Sequence, residues 1–406
     1  MSNGLLSVEE ALARLLDGAR AIADVETVPT LAATGRVLAR AQTSTINVPP
    51  LDNTSMDGYA VRAADCASGS ARLPVGQRIP AGAIGKPLAP GTAARIFTGA
   101  PIPPGADAVV MQEQCEAVDN AVIVKHVPQP GDWVRRVGED IRAGSTILEA
   151  GVRLRAQETG LAASVGLAAL PVIRRYRVAL FSTGNELVMP GEPLPAGAIY
   201  NSSRFTLTGL VRMLGCEVED LGIVPDTLDA TRAALRKAAA TSDLILTSGG
   251  VSVGDEDYVK PAVTAEGSLD LWRIAIKPGR PLAFGAVRRA AGSEASFIGL
   301  PGNPVSSFVT FVLFVRPFVL RCQGIARTEP NAFAMRADFD WPKPDPRREF
   351  LRVKLNGSGG VDLFPNQSSG VLTSTVWGDG LVDNPAKQAI KRGDSVRFLP
   401  FSELLH

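Results

Sequence analysis

Three short loops of small residues stand where apolar runs end: STGNE at 182–186, SGGVSVGDEDY at 248–258 and GLPGNP at 299–304. Glycine has no Cβ, so the peptide N–H groups of such loops can close on an anion. The helix expected after GLPGNP adds an N-terminal dipole and unused donors. One such loop alone is as well explained by a tight turn. Three in succession, each at a strand exit, point to a site for a phosphate-bearing anion. Its binding residues are then Ser182, Thr183 and Gly184, Ser248, Gly249 and Gly250, and Gly302 and Asn303.

Carboxylates crowd the same loops: Glu186, Asp226 after an apolar run, and Asp255, Glu256 and Asp257 in succession. The histidines are His126 and His406, and Cys66, Cys115, Cys216 and Cys322 lie far apart with no CxxC pair. That usage excludes a zinc site and a disulfide framework. Oxygen-only ligands favour a hard cation, Mg²⁺ bridging phosphate oxygens, although residues 255–257 taken alone also read as a solvated acidic loop. In IAIKPGRP (274–281), Lys277 and Arg280 flank a Pro-Gly turn that would face both cations one way, toward an oxyanion. Arg273 could join them or be a surface arginine. The formal net charge of +1 gives no broad basic field for nucleic acid or an anionic membrane, so any bound anion must meet local charge.

Several elements must position these residues. With 406 residues the chain exceeds one ordinary core and is expected to form several domains. Ser7 and Glu10 have capping-box spacing, and Ala11, Leu12, Leu15 and Leu16 then recur on one face until Gly18, which predicts an amphipathic helix. From 48 to 140 short β-like runs alternate with Gly-Pro turns, an inserted β-rich module. The first helix and a second at 156–165 are expected to form one helical piece, over 1–47 and 141–175, around that insert. From 176 to 327 strands at 178–181, 216–224, 244–247 and 296–300 alternate with helices at 202–214, 228–240 and from about 305, the pattern of a mostly parallel, doubly wound α/β domain. A small β-barrel-like domain over 328–406 completes an α/β multidomain fold. The start has no basic segment before an apolar core, and the apolar run 308–320 is broken by Arg316 and Pro317, so a soluble, cytoplasmic protein is expected.

Six segments, DNTSMDGYAVRAAD (52–65), RIFTGAPIPPGADAVVMQE (95–113), FSTGNEL (181–187), SGGVSVGDEDY, IKPGRPLAFG (276–285) and GLPGNPVSS (299–307), resemble the MoeA/gephyrin family of molybdopterin molybdenumtransferases in order and over nearly the whole chain. The MDGYA and TGAPIPPGAD segments separate this family from shorter proteins that carry only the molybdopterin-binding α/β domain. By pattern alone these two segments are turn chemistry. Asn185, Arg280 and Arg273 depart from the Asp and Lys residues common in the family, and the lost charge at Asn185 leaves metal binding to Glu186.

The resemblance implies conversion of adenylylated molybdopterin and molybdate to molybdenum-bearing molybdopterin and AMP. It implies roles for Asp57 and Thr98 in the inserted module and for Glu186, Asp226 and Asp257 in the α/β domain, with Mg²⁺ on those three carboxylates. Lys277, Arg280, Ser306, Arg348 and Ser369 are implied to hold molybdate. The substrate's dithiolene supplies the thiolates for molybdenum, which fits a chain without a Cys or His cluster. An elongated homodimer is implied, with the inserted module of one subunit facing the α/β domain of the other. Expected partners are adenylyltransferase-type and molybdoenzyme-maturation proteins. Competing readings are a molybdopterin adenylyltransferase, a scaffold like the gephyrin E domain, and a nucleotide-binding protein with no molybdenum role.

Overall fold

The apolar run VALF is the middle of strand Arg177–Thr183, buried at every position after the first, in a computed structural model that describes residues 5–250, 258–290 and 292–405. This strand lies inside a six-stranded sheet ordered Glu217–Val224, Arg177–Thr183, Leu244–Ser248, Glu294–Leu300, Pro281–Arg288, Gly267–Arg273. The first four run parallel; Pro281–Arg288 runs against them, paired antiparallel on both sides. Alternate residues serve opposite faces, as strand geometry requires. Val178 and Leu180 pack with helix Ser202–Met213, whereas Ala179 and Phe181 pack with helix Leu228–Thr241 and helix Val259–Glu266. The sheet is therefore covered on both sides, as in a doubly wound fold.

Helix Pro304–Thr310 runs through a π-helical turn, Phe311–Val315, into Arg316–Cys322. Among the described residues this is the one helix long and apolar enough to cross a membrane, and 89% of it is buried. Core packing accounts for its composition, since Val309, Phe311, Phe314 and Phe318 meet Val178, Leu180 and Ile298.

The first helix, Val8–Asp17, has both halves of the capping box: Ser7 Oγ accepts from Glu10 N at 3.0 Å, and Glu10 Oε2 accepts from Ser7 N at 2.8 Å. Val8, Ala11 and Leu15 join the α/β core, because their apolar stripe fills the face left by the helix ending at Cys322. Helix Ala156–Ser164 contacts strand Thr146–Leu148 in a separate compact unit, Thr27–Thr34 with Arg40–Pro171. That unit holds its own six-stranded sheet, ordered Ala108–Met111, Gly58–Val61, Ala93–Ile96, Ala71–Ile79, Ala121–Val124, Cys115–Val118.

The C-terminal strands Phe333–Ala337, Arg348–Leu355, Gly360–Leu363, Gly380–Asn384 and Ser395–Pro400 close a five-stranded barrel around Leu351, Val353, Val382 and Phe398. Strand Ile276–Lys277 adds to it, with Lys277 opposite Glu349, so the barrel and the α/β sheet share one segment of chain.

Asp243 anchors the sheet at the N-terminal ends of its parallel strands. Arg174 donates to both its oxygens at 2.7 and 2.8 Å, and Arg177 N adds a bond at 2.9 Å. Burial pushes this carboxyl up, but Arg174 and the Arg177 N–H outweigh it and hold the group below the usual range. A depressed carboxylate stabilises fully above its unfolded pKa, and that contribution is lost as pH falls through the folded one. Asp243→Asn should therefore cost about 2 kcal/mol at pH 7 and progressively less toward pH 3, read from urea midpoints across that range.

Candidate functional site

The three small-residue loops leave the sheet at one level, because Ser182 pairs with Ser248 and Ser248 with Leu300. Ser182 Oγ lies 3.2 Å from Ser248 Oγ, both side chains buried, and Gly249 N donates to Leu300 O at 3.0 Å. Gly250 has φ +68°, and a Cβ there would sit 2.3 Å from Val259 Cγ2. Only glycine lets this loop lie so close to the helix that follows.

The loops form one wall of a cleft of about 990 Å³. Of the expected residues, Thr183, Glu186, Ser248, Gly249, Gly250, Lys277, Arg280, Gly302, Asn303, Ser306 and Ser369 line it. Ser182 stands behind the wall, and Gly184 accepts from Leu187 N at 3.1 Å in the first loop. Asp257 lies outside the described residues. Asp226, half-buried beyond strand Glu217–Val224, does not line the cleft. The loop after strand Leu187–Val188 brings Ile199, Tyr200 and Asn201 to the rim, a wall for which the sequence carries no sign beyond the helix cap at Asn201.

The opposite corner holds the cations. Lys277 Nζ is 3.2 Å from Glu349 Oε1 and 3.4 Å from Asp345 Oδ2. Arg347 grips Asp345 through two bonds of 2.8 and 2.9 Å, and holds that carboxyl well below the usual range. Glu349 is 1% exposed and also accepts from Trp341 Nε1 at 2.8 Å, so two fixed carboxylates orient two cations. Arg280 is exposed on the cleft and forms no ion pair among the described residues.

Arg348 does not belong to this corner. Its guanidinium bonds Asp383 at 2.5 and 2.6 Å and also pairs with Glu9. Neighbouring residues at a strand start face opposite ways, so only one of the two arginines can look into the cleft, and it is Arg347. The doublet RREF signals an arginine here but not which one. Arg347→Ala should weaken binding of a tetrahedral oxyanion such as molybdate by about tenfold, whereas Arg348→Ala should change it less than about twofold; calorimetric titration separates them.

Glu186 is exposed on the cleft, and its carboxylate takes no hydrogen bond or ion pair among the described residues. Among those residues no three acids, histidines or cysteines gather as a metal site. In the other unit, Thr98 N and Thr98 Oγ1 each donate to Asp57 Oδ1 at 2.8 Å. The N–H and then the hydroxyl hold this exposed carboxyl below the usual range, so it stays ionised near neutral pH.

Family models match along the chain in order: the MoeA N-terminal region (domains I and II) over 6–166, a probable molybdopterin binding domain over 179–321, and the MoeA C-terminal region (domain IV) over 334–401. A molybdopterin molybdenumtransferase of Haemophilus influenzae is 36% identical over 99% of this chain and 100% of that protein. One from a Nostoc species is 40% identical over 80% of this chain and 76% of that protein. A crystal structure of the MoeA molybdopterin biosynthesis protein of Pyrococcus horikoshii superposes with a TM-score of 0.83 at 29% identity, covering 98% of this chain and 100% of that one. With the cleft on the molybdopterin-binding domain and relatives matched from end to end, the chain belongs to the MoeA family of molybdopterin molybdenumtransferases.

Proposed function

We propose that this protein inserts molybdenum during molybdenum cofactor biosynthesis, converting adenylylated molybdopterin and molybdate to molybdenum-bearing molybdopterin and AMP. One observation supports the reading: a single cleft is lined by two differently built groups of donors. The loops at Gly250 and 302–303 offer backbone N–H groups suited to a pterin phosphate. Lys277, Arg347 and Arg280, with Ser306 and Ser369, offer cations and hydroxyls suited to a compact dianion. Holding both anions at once brings the oxyanion to the dithiolene and removes the entropy of their encounter.

The free carboxylate of Glu186 suits a hard cation, and with Asp226 and Asp257 it would hold Mg²⁺, which would supply charge neutralisation for the release of AMP. Asp57 and Thr98 act on the cleft of a partner subunit in a homodimer, where the ionised Asp57 fixes the Thr98 hydroxyl. The protein works in the cytoplasm, between an adenylyltransferase-type enzyme that supplies its substrate and maturation proteins that take its product.

Purified protein given adenylylated molybdopterin and Mg²⁺ should release AMP only when molybdate is added. Formation of adenylylated molybdopterin from Mg-ATP and molybdopterin, without molybdate-dependent AMP release, would instead establish the adenylyltransferase reading.

A further inference from the structure

Arg352, on the barrel strand Arg348–Leu355, is 1% exposed and pairs with no carboxylate among the described residues. A buried guanidinium without a counter-charge is costly, so where its donors go is informative. Nε donates to Ser374 Oγ, Nη1 to Phe350 O and Nη2 to Ser368 O, each at 3.2 Å. Its main chain holds the same segment: Arg352 N donates to Gln367 Oε1 at 2.9 Å, and Arg352 O accepts from Gln367 Nε2 at 3.0 Å. Gln367, Ser368 and Ser369 all line the cleft.

The Ser368 carbonyl thus faces Arg352. A trans peptide points its C=O and N–H in opposite directions, so the N–H of Ser369 is turned away from the barrel interior. That N–H donates to no acceptor among the described residues, while Ser369 O accepts from Val305 N at 3.0 Å and ties the loop to the helix beside Ser306. A cation on the carbonyl also polarises the peptide and strengthens its N–H as a donor. The charges agree with this arrangement. Asp345 and Glu349 match Lys277 and Arg347 one for one, and Arg352 is left unmatched.

We infer that Arg352 is a positioning residue for the oxyanion: from inside the barrel it aims the Ser369 N–H at the anion and sets an unbalanced positive charge behind it. The inference rests on the molybdate-binding reading of this cleft and names a determinant that never touches the substrate. Selection for a dianion over a monoanion follows from the extra charge.

The test is a steady-state comparison of Arg352→Gln and Arg352→Lys with the parent, reading AMP release against molybdate and against adenylylated molybdopterin, alongside direct molybdate calorimetry. Arg352→Gln is expected to raise the KM for molybdate about tenfold or more with the pterin KM within about twofold, and Arg352→Lys to recover most of that loss. An unchanged molybdate KM in Arg352→Gln, or an equal fall in kcat for both substrates without rescue by lysine, would overturn the inference and leave the cleft reading intact. A parent protein that neither binds molybdate nor releases AMP with it overturns both. Should Arg352→Gln fail to fold, Ser374→Ala removes one of its acceptors from outside the cleft. About a threefold rise in molybdate KM is then expected, and an unchanged value counts against the assignment.

Discussion

Lys277→Ala is expected to raise the KM for molybdate on the order of 100-fold while moving the pterin KM less than about threefold. The size follows from what the lysine leaves behind. Its ammonium sits between Glu349 and Asp345, at 3.2 and 3.4 Å, and removing it exposes an incoming dianion to two carboxylates of which only Asp345 keeps a cation, Arg347. Lost attraction is thus joined by new repulsion, which an isolated surface lysine would not produce. The fold should suffer less. Lys277 is 39% exposed, so its ion pairs are partly screened, and Glu349 keeps its bond from Trp341 Nε1. A loss of about 1 kcal/mol in stability is expected. Combining Lys277→Ala with Glu349→Gln removes one of the stranded charges and should recover about tenfold of the molybdate KM, a coupling that a double-mutant cycle measures directly. A Lys277→Ala enzyme with the parent's molybdate KM would place the oxyanion elsewhere.

That prediction depends on features of unequal visibility in the sequence. The α/β sheet was legible because its strands are short apolar runs that stop at glycine-rich loops: VALF reads into STGNE, and LILT into SGG. The capping box at Ser7 and Glu10 was equally local, and it appears in the structure as written. Where that first helix packs was not local. Its stripe of Val8, Ala11 and Leu15 fits any apolar face, and the choice of the α/β core depends on a helix ending more than 300 residues later at Cys322. The strands Gly267–Arg273 and Pro281–Arg288 were missed for a related reason. Their apolar residues are only partly covered, Leu271 exposed and Phe284 half-buried, and carry little alternation to read.

The site shows the same division. Glycine loops and the KPGR turn announce themselves by residue type, and the structure brings Gly249, Gly250, Gly302, Lys277 and Arg280 to one cleft. Arg347 and Arg348 differ only in the parity of one strand, which is set by the pairing of Lys277 with Glu349 and by no feature of the doublet itself. Arg352 was less visible still, since a third arginine in RREFLR looks like an exposed edge charge until the barrel closes over it.

Gly279→Ala should remove about 100-fold of kcat/KM for molybdate and cost about 2–3 kcal/mol of stability. Gly279 lies between the two cations of the KPGR turn at φ +102°, a backbone region that residues with a Cβ enter only under strain. An added Cβ would also stand 2.4 Å from Thr310 Oγ1 and 3.3 Å from Ser306 O, so relief requires the turn to lift off the helix that carries Ser306. Lifting it moves Lys277 and Arg280 away from the hydroxyl they share the cleft with. The steric and backbone parts of this cost can be separated. Thr310 Oγ1 is buried without a hydrogen-bond partner among the described residues, so Thr310→Ala alone should lie within about 1 kcal/mol of the parent. In the double variant the 2.4 Å contact is gone and the φ strain remains. About half of the lost stability and about tenfold of the lost activity should therefore return. Gly324→Ala is the control for strain alone, because Gly324 has φ +84° with nothing within 4 Å of its added Cβ. A double variant no better than Gly279→Ala would assign the whole effect to the backbone, and a fully active Gly279→Ala would mean that the anion site does not depend on the shape of this turn.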